Sequence, residues 1–203
     1  QLWLDGRNNT GSGHDGNAVT WTDLSGKGGD VNTSGLSWND DGLRLAAGQM
    51  LELPDAAADT IKTERFTVEL SIKDFSASEK RDTPLLRADN DRFSCYVNSA
   101  GNLAQKSSIV IANDAASVLN GGKTLTMTSD GDTLNFYLNG VLAKTAKYEP
   151  LTKSATWDHS AVNWMRLGGT DGVTNVTYQG LRIYDRVLSE EEIRYLEELY
   201  QPH

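Results

Sequence analysis

Between Lys123 and Ala146 the chain can be little other than three antiparallel strands. Thr124-Leu125-Thr126-Met127-Thr128 alternates polar with apolar residues, Ser129-Asp130-Gly131-Asp132 interrupts it, and Thr133-Leu134-Asn135-Phe136-Tyr137-Leu138 alternates again. Asn139-Gly140 then turns the chain into Val141-Leu142-Ala143-Lys144. An Asn-Gly pair between alternating runs marks a two-residue hairpin, since both central residues of a type I′ turn need positive φ. With these as the loop residues, Leu138 falls opposite Val141 and Phe136 opposite Ala143, while Asn135, Tyr137 and Asn139 take the other face. A meander apolar on one face needs a second layer to cover it.

The rest of the chain supplies that layer. Phe66-Thr67-Val68-Glu69-Leu70-Ser71-Ile72-Lys73 is the cleanest alternation, with Phe66, Val68, Leu70 and Ile72 inward. Further strands are expected at Gln1 to Leu4, Val19 to Leu24 (Val19 and Trp21 sharing a face), Met50 to Leu53, Pro84 to Ala88, Arg92 to Val97, Ser108 to Ala112, Trp164 to Leu167 and Val176 to Tyr184. Leu36 to Trp38 and Gly42 to Leu45 read as a hairpin, and Gly180 as a bulge. Trp3 and Trp21 are expected in the core, as is Cys95, which shares the parity of Phe93 and Val97. Asp55 to Thr63 has room for one helical turn. One full helix is expected, opened by Ser189 as N-cap with Glu192 completing a capping box and Leu188 and Ile193 at staple spacing. Its narrow apolar stripe places it on the outside of the sandwich.

At 203 residues a single sandwich accounts for the whole chain, so one domain over residues 1–203 is expected. The chain opens in a strand and closes just after a helix, as a module of a longer protein would. With 28 acidic against 19 basic residues the net charge is −9, which disfavours nucleic acid or an anionic membrane surface as partner and suits calcium. No run of about 18 apolar residues exists, so no membrane insertion is expected. The lone Cys95 excludes an intramolecular disulfide.

Three pieces, in order, resemble the laminin-G-like, concanavalin A-like jelly roll of bacterial and phage surface proteins. Phe66 to Ile72 stands where that family has FTVEAWV, Ser129 to Leu142 where it has DGxxLxLYVNGVL, and Leu181-Arg182-Ile183-Tyr184-Asp185-Arg186-Val187-Leu188-Ser189-Glu190-Glu191-Glu192-Ile193 where it has VRIYNRALSEEEI. The resemblance implies an all-β, two-sheet antiparallel jelly roll with a short C-terminal helix. It also implies a non-catalytic binding or adhesion module of an extracellular, cell-surface or virion protein, with a glycan or other extracellular polymer as ligand and in many cases a calcium ion near the sheet rim. The matched residues are framework and carry no chemistry. Fold alone does not settle function, and a protein-interaction or spacer domain is the alternative.

Sugar rings combine apolar C–H faces with directional hydroxyls, so their sites pair aromatic faces with amides and carboxylates. Trp157-Asp158-His159 brings these together in one expected loop, and Trp164 and Tyr137 add aromatics from strands. Calcium asks for six to eight oxygens; the sequence offers Asp89-Asn90-Asp91, Asp130 with Asp132, Asp5 with Asp15, and Asp171, of which Asp89-Asn90-Asp91 and Asp171 are the candidate ligands, although Asp and Asn favour turn tips for local reasons too. A glycoside hydrolase of this fold would need a Glu-x-Asp-x-x-Glu strand, and Glu69 is followed two residues on by Ser71. No Gly-x-Ser-x-Gly elbow is present. The expectation is a protein that is not an enzyme.

Overall fold

The computed structural model describes residues 1–77, 82–89, 94–105, 109–147, 162–169 and 174–199. In chain order the strands of the first half are β1 (Leu2–Asp5), β2 (Thr20–Trp21), β3 (Val31–Asn32), β4 (Ser37–Asn39), β5 (Gly42–Leu45), β6 (Met50–Glu52), β7 (Arg65–Ala77), β8 (Thr83–Ala88) and β9 (Ser94–Val97). Then follow β10 (Leu103–Gln105), β11 (Ile109–Ala112), β12 (Lys123–Asp130), β13 (Thr133–Leu138), β14 (Val141–Lys147), β15 (Met165–Gly168) and β16 (Thr174–Tyr184). Among the described residues three α-helices join them: α1 (Asp55–Ile61), α2 (Ala115–Leu119) and α3 (Glu190–Glu198).

The strands form a two-sheet antiparallel sandwich. The large sheet runs β14-β13-β12-β7-β16-β5-β4 with β1 also on β16, and the small one β11-β10-β9-β8-β15-β6. The long β16 shares one edge between two partners, β5 along residues 176–178 and β1 along residues 180–183. At the changeover Gln179 is the extra residue of a bulge, beside the Gly180 expected to mark it. The β4–β5 hairpin crosses this point so closely that a Cβ on Gly42 would stand 2.1 Å from the Tyr178 carbonyl oxygen. Only glycine fits there.

Alternation drives the packing. Phe66, Val68, Leu70 and Ile72 of β7, Leu125 and Met127 of β12, and Leu134 and Phe136 of β13 all point inward and are buried. They meet Leu51, Leu86, Cys95, Val97, Leu103 and Leu167 of the small sheet in one continuous core. The Tyr178 hydroxyl crosses the sandwich and donates to the Leu85 carbonyl at 2.7 Å, so this buried polar group is satisfied. Burial pushes the Cys95 thiol well up from its ordinary range, which keeps it an inert core residue.

Several expectations are corrected. Asn139 and Gly140 do turn with positive φ, at 48° and 73°, and Leu138 pairs with Val141, but Phe136 pairs with Lys144. Ala143 is an extra residue in β14, which among the described residues pairs with β13 alone, so no second strand holds its spacing. Trp3 is 38% exposed, because Leu2 and Leu4 take the inward positions and period two turns Trp3 outward. Val19 is 61% exposed while Trp21 is fully buried; β2 and β3 pair over two residues only, so nothing enforces the alternation before Thr20. Asp55 to Ile61 makes a seven-residue helix, longer than the single turn expected.

Candidate functional site

The outer face of the large sheet divides into rows set by strand register. One row runs Trp3, Arg182, Glu69, Thr126, Tyr137 and Leu142 across β1, β16, β7, β12, β13 and β14. A second joins Gly180, Ser71 and Thr124, and a third joins Ser37, Arg44, Thr177 and Lys73. What lies above each row decides what it can do.

Helix α3 closes the first row. Ser189 Oγ accepts from the Glu192 backbone N–H at 3.2 Å, and Glu192 Oε2 accepts from the Ser189 N–H at 2.8 Å, the reciprocal capping box that starts the helix. Arg186 adds two hydrogen bonds to the same carboxylate, which together with the cap holds Glu192 down to about 2. Thus fixed, α3 lays Ile193 and Leu196 on Tyr137 and Leu188, a small cluster separate from the main core. Tyr137 faces outward as expected but is 5% exposed, so its ring packs under α3 and is not presented to a ligand. Beneath the helix Arg182 Nη1 donates to Glu69 Oε1 at 2.8 Å in a buried ion pair. Burial pushes the Glu69 carboxyl up to about 7, with Arg182 opposing and Glu197 adding to the rise. Glu69 Oε2 and Thr126 Oγ1 are buried with no hydrogen-bond partner.

Beyond the end of α3 the face opens into two adjoining clefts. The first, about 270 Å³, is floored by Ser71, Thr124 and Gln179 and flanked by Lys73, Asp41 and Glu197. Of the two lysines that line it, Lys73 and Lys123, Lys73 is occupied: its Nζ donates to Asp41 Oδ2 at 2.8 Å, a bond that also raises its pKa. The second cleft, about 450 Å³, lies over the third row between β4, β5, β16 and β7. Arg44, Asp74, Ser76 and Asn175 line it with polar groups, and Trp38 forms part of its wall.

Local backbone geometry presents these groups. β7 carries one more residue than β16 between the pairs Lys73–Thr177 and Ser76–Asn175, and Asp74 takes the strain at φ 55°. Asn39 is fixed, its Oδ1 accepting from the Asp41 and Gly42 N–H groups and its Nδ2 donating to Thr177 Oγ1 at 3.1 Å. Trp38 is anchored by Nε1 donating to the Ala18 carbonyl at 2.9 Å and stands edge-on to Trp21 at 5.1 Å. The wall of this cleft is therefore rigid, while the side chains of Arg44, Asp74, Ser76 and Asn175 make no hydrogen bond or ion pair to other described residues.

The residues singled out from the sequence fall elsewhere. Trp157, Asp158, His159, Asn90, Asp91 and Asp171 lie outside the described residues. Trp164 is half-buried beside β15, with the Arg166 guanidinium 4.2 Å over its ring and Arg166 itself paired to Glu52. Asp89 Oδ2 accepts from Asn163 Nδ2 at 2.7 Å, and among the described residues no group of three or more His, Cys, Asp or Glu side chains is placed to hold a metal ion. Sequence reasoning missed the cleft residues because Arg44, Asp74 and Asn175 lie far apart in the chain and meet only through strand order. The Asp41 and Lys73 side chains show the same effect.

A family model for the concanavalin A-like lectin/glucanases superfamily matches residues 45–194. No curated protein matches the chain. Among solved structures it is similar to a Trypanosoma rangeli sialidase in complex with 2,3-difluorosialic acid, at 17% identity and TM-score 0.69 over 97% of this chain and 32% of that one. It is similar to botulinum neurotoxin type C in a structure concerned with cell entry through two ganglioside molecules, at 16% identity and TM-score 0.69 over 100% of this chain and 51% of that one. It is also similar to the binding domain of botulinum neurotoxin DC in complex with rat synaptotagmin II, at 16% identity and TM-score 0.69 over 99% of this chain and 52% of that one. The chain thus spans between about a third and about half of their lengths. At these identities the likeness establishes shared fold. Given that fold and the family match across both sheets, the chain belongs to the concanavalin A-like lectin/glucanase superfamily.

Proposed function

We propose that this domain is a non-catalytic binding module that recognises carbohydrate on a cell surface or extracellular polymer, using the open half of the large sheet's outer face. The observation that carries the reading is the second cleft, where amide, hydroxyl, carboxylate and guanidinium side chains that make no internal hydrogen bond or ion pair among the described residues converge beside a fixed indole. Sugar hydroxyls need such directional partners, and the absence of competing internal bonds leaves the groups available to a ligand. Ganglioside recognition by a structurally similar toxin supports the same class of ligand. An extracellular or virion location goes with it.

Glycoside hydrolysis fits the geometry less well. It requires two carboxyl groups across the scissile bond, one of them held protonated. Among the described residues Asp74 is the carboxylate lining the second cleft; of the two flanking the first, Asp41 is bound by Lys73 and Glu197 belongs to α3; and the Glu69 carboxyl pushed up to about 7 lies under α3 against Arg182.

The test is a broad glycan array probed with the full chain, with calcium and with a chelator in parallel. Binding is expected, with Ser76→Trp, which fills the cleft from an exposed position, abolishing it at unchanged melting temperature. Calcium-dependent signal would bring the Asp89 to Asp91 segment and Asp171 into the site. Retention of binding by Ser76→Trp together with its loss in Trp157→Ala would move the site to the Trp157 loop. Silence on a folded sample would make a protein-interaction or spacer role the better reading.

A further inference from the structure

Arg44 differs from the two large-sheet cations that are held in ion pairs by carboxylates of the same face. Arg182 is paired with Glu69 and Lys73 with Asp41, each at 2.8 Å. Arg44 is on the same face, one strand from Thr177 and two from Lys73 along one register row, yet its guanidinium makes no ion pair or hydrogen bond to any described residue. In a chain of net charge −9, carboxylates are abundant, and one of them, Asp74, lines the same cleft without reaching ion-pair distance of Arg44. The cleft therefore presents a guanidinium fork held apart from its internal partners, flanked by hydroxyls of Ser37 and Ser76 and the Asn175 amide.

From this placement, and resting on the carbohydrate-binding reading above, we infer that the cleft over Arg44 selects a sugar bearing a carboxylate. The planar fork matches the two oxygens of a carboxylate in a bidentate, charge-assisted pair. A single guanidinium is enough for that group, whereas a sulfate, with its oxygens spread tetrahedrally, is better served by several converging cations, and the neighbouring lysine is already held by Asp41. Asp74, Ser76 and Asn175 then remain to meet the ring hydroxyls. Asp74 sets the orientation, since it accepts from hydroxyls and repels the carboxylate, so the acidic group lies toward β4 and β5 and the hydroxyls toward the β7 bulge.

The experiment uses the full chain and matched pairs of oligosaccharides: glucuronate-, galacturonate- and sialate-bearing probes, and the same probes with the carboxyl reduced to the alcohol. Carboxyl reduction is expected to weaken the preferred probe about ten- to hundredfold, the range for losing a charge-assisted pair. Arg44→Gln should weaken the acidic probe by a similar factor and bind the two members of the pair alike, at unchanged melting temperature because the residue is exposed. Arg44→Lys should recover part of the loss, as a charge without the fork. Tyr195→Ala, on the exposed side of α3, serves as the neutral control. Equal binding of acidic and reduced probes overturns the inference and leaves the carbohydrate reading standing. A preference for sulfated probes that ignores carboxyl reduction also overturns it. No binding to any probe by folded protein overturns both.

Discussion

Burial pushes the Glu69 carboxyl up to about 7 against the pull of Arg182, and that shift makes stability depend on pH. Between its unfolded value of 4.5 and about 7 the folded chain holds a proton that the unfolded chain has released. Stability is therefore full below pH 4.5 and falls as pH rises through this window, on this group's account. Denaturant titrations at pH 5 and pH 7.5 are expected to show the drop. Glu69→Gln should flatten it, while leaving Arg182 buried beside a neutral amide; breaking a buried pair costs about 3–5 kcal/mol, and partial protonation of Glu69 near pH 7 puts this variant at the low end. Glu69 was legible as an outward strand residue and nothing more. Its burial depends on a helix that starts more than a hundred residues later, a fact absent from local alternation. Tyr137 was misjudged for the same reason: its parity was right, but the Ile193 and Leu196 side chains cover it.

At the scale of elements, two short motifs decide how α3 meets the sheet. The Asn139-Gly140 turn lies under the helix, where a Cβ on Gly140 would come 3.2 Å from Arg194 Cγ and 3.4 Å from its Cα. Gly140→Ala combines that contact with a left-handed φ of 73° and should cost about 1–3 kcal/mol, read as a lowered melting temperature. Ser189→Ala removes the cap that accepts from Glu192 N–H and should cost about 1 kcal/mol, with fraying of α3 seen by amide exchange. Both motifs could be read directly from the residues, because turn and cap chemistry is local. β10 could not: Leu103, Ala104 and Gln105 are buried on both faces, so no polar-apolar alternation marks them. The bulges at Asp74 and Ala143 were equally silent, since they are features of pairing between strands.

For the whole molecule, the two-sheet architecture was recoverable from alternation and turns, whereas the open clefts were not, since they arise where four strands from three regions of the chain come side by side. Overall charge adds a further expectation. If the cleft takes an acidic sugar as inferred above, a domain of net charge −9 would repel an acidic polysaccharide at long range while Arg44 attracts its carboxylate at contact. Raising salt from about 10 to 150 mM shortens the screening length from roughly 30 to 8 Å, so association should accelerate, and dissociation should accelerate as well. Stopped-flow measurement separates the two. The pairing of β1 with β16 bears on mechanics. Leu2 faces Ile183 and Asp5 faces Gly180, so the outer end of β1 and the exit of β16 toward α3 lie at the same end of the ladder. Tension applied between Gln1 and the far end of α3 would load those backbone bonds one at a time and peel β1 away before the core strands share the force, so the domain would yield softly from its N-terminal edge while the open cleft face, built on β5, β7 and β16, kept its shape.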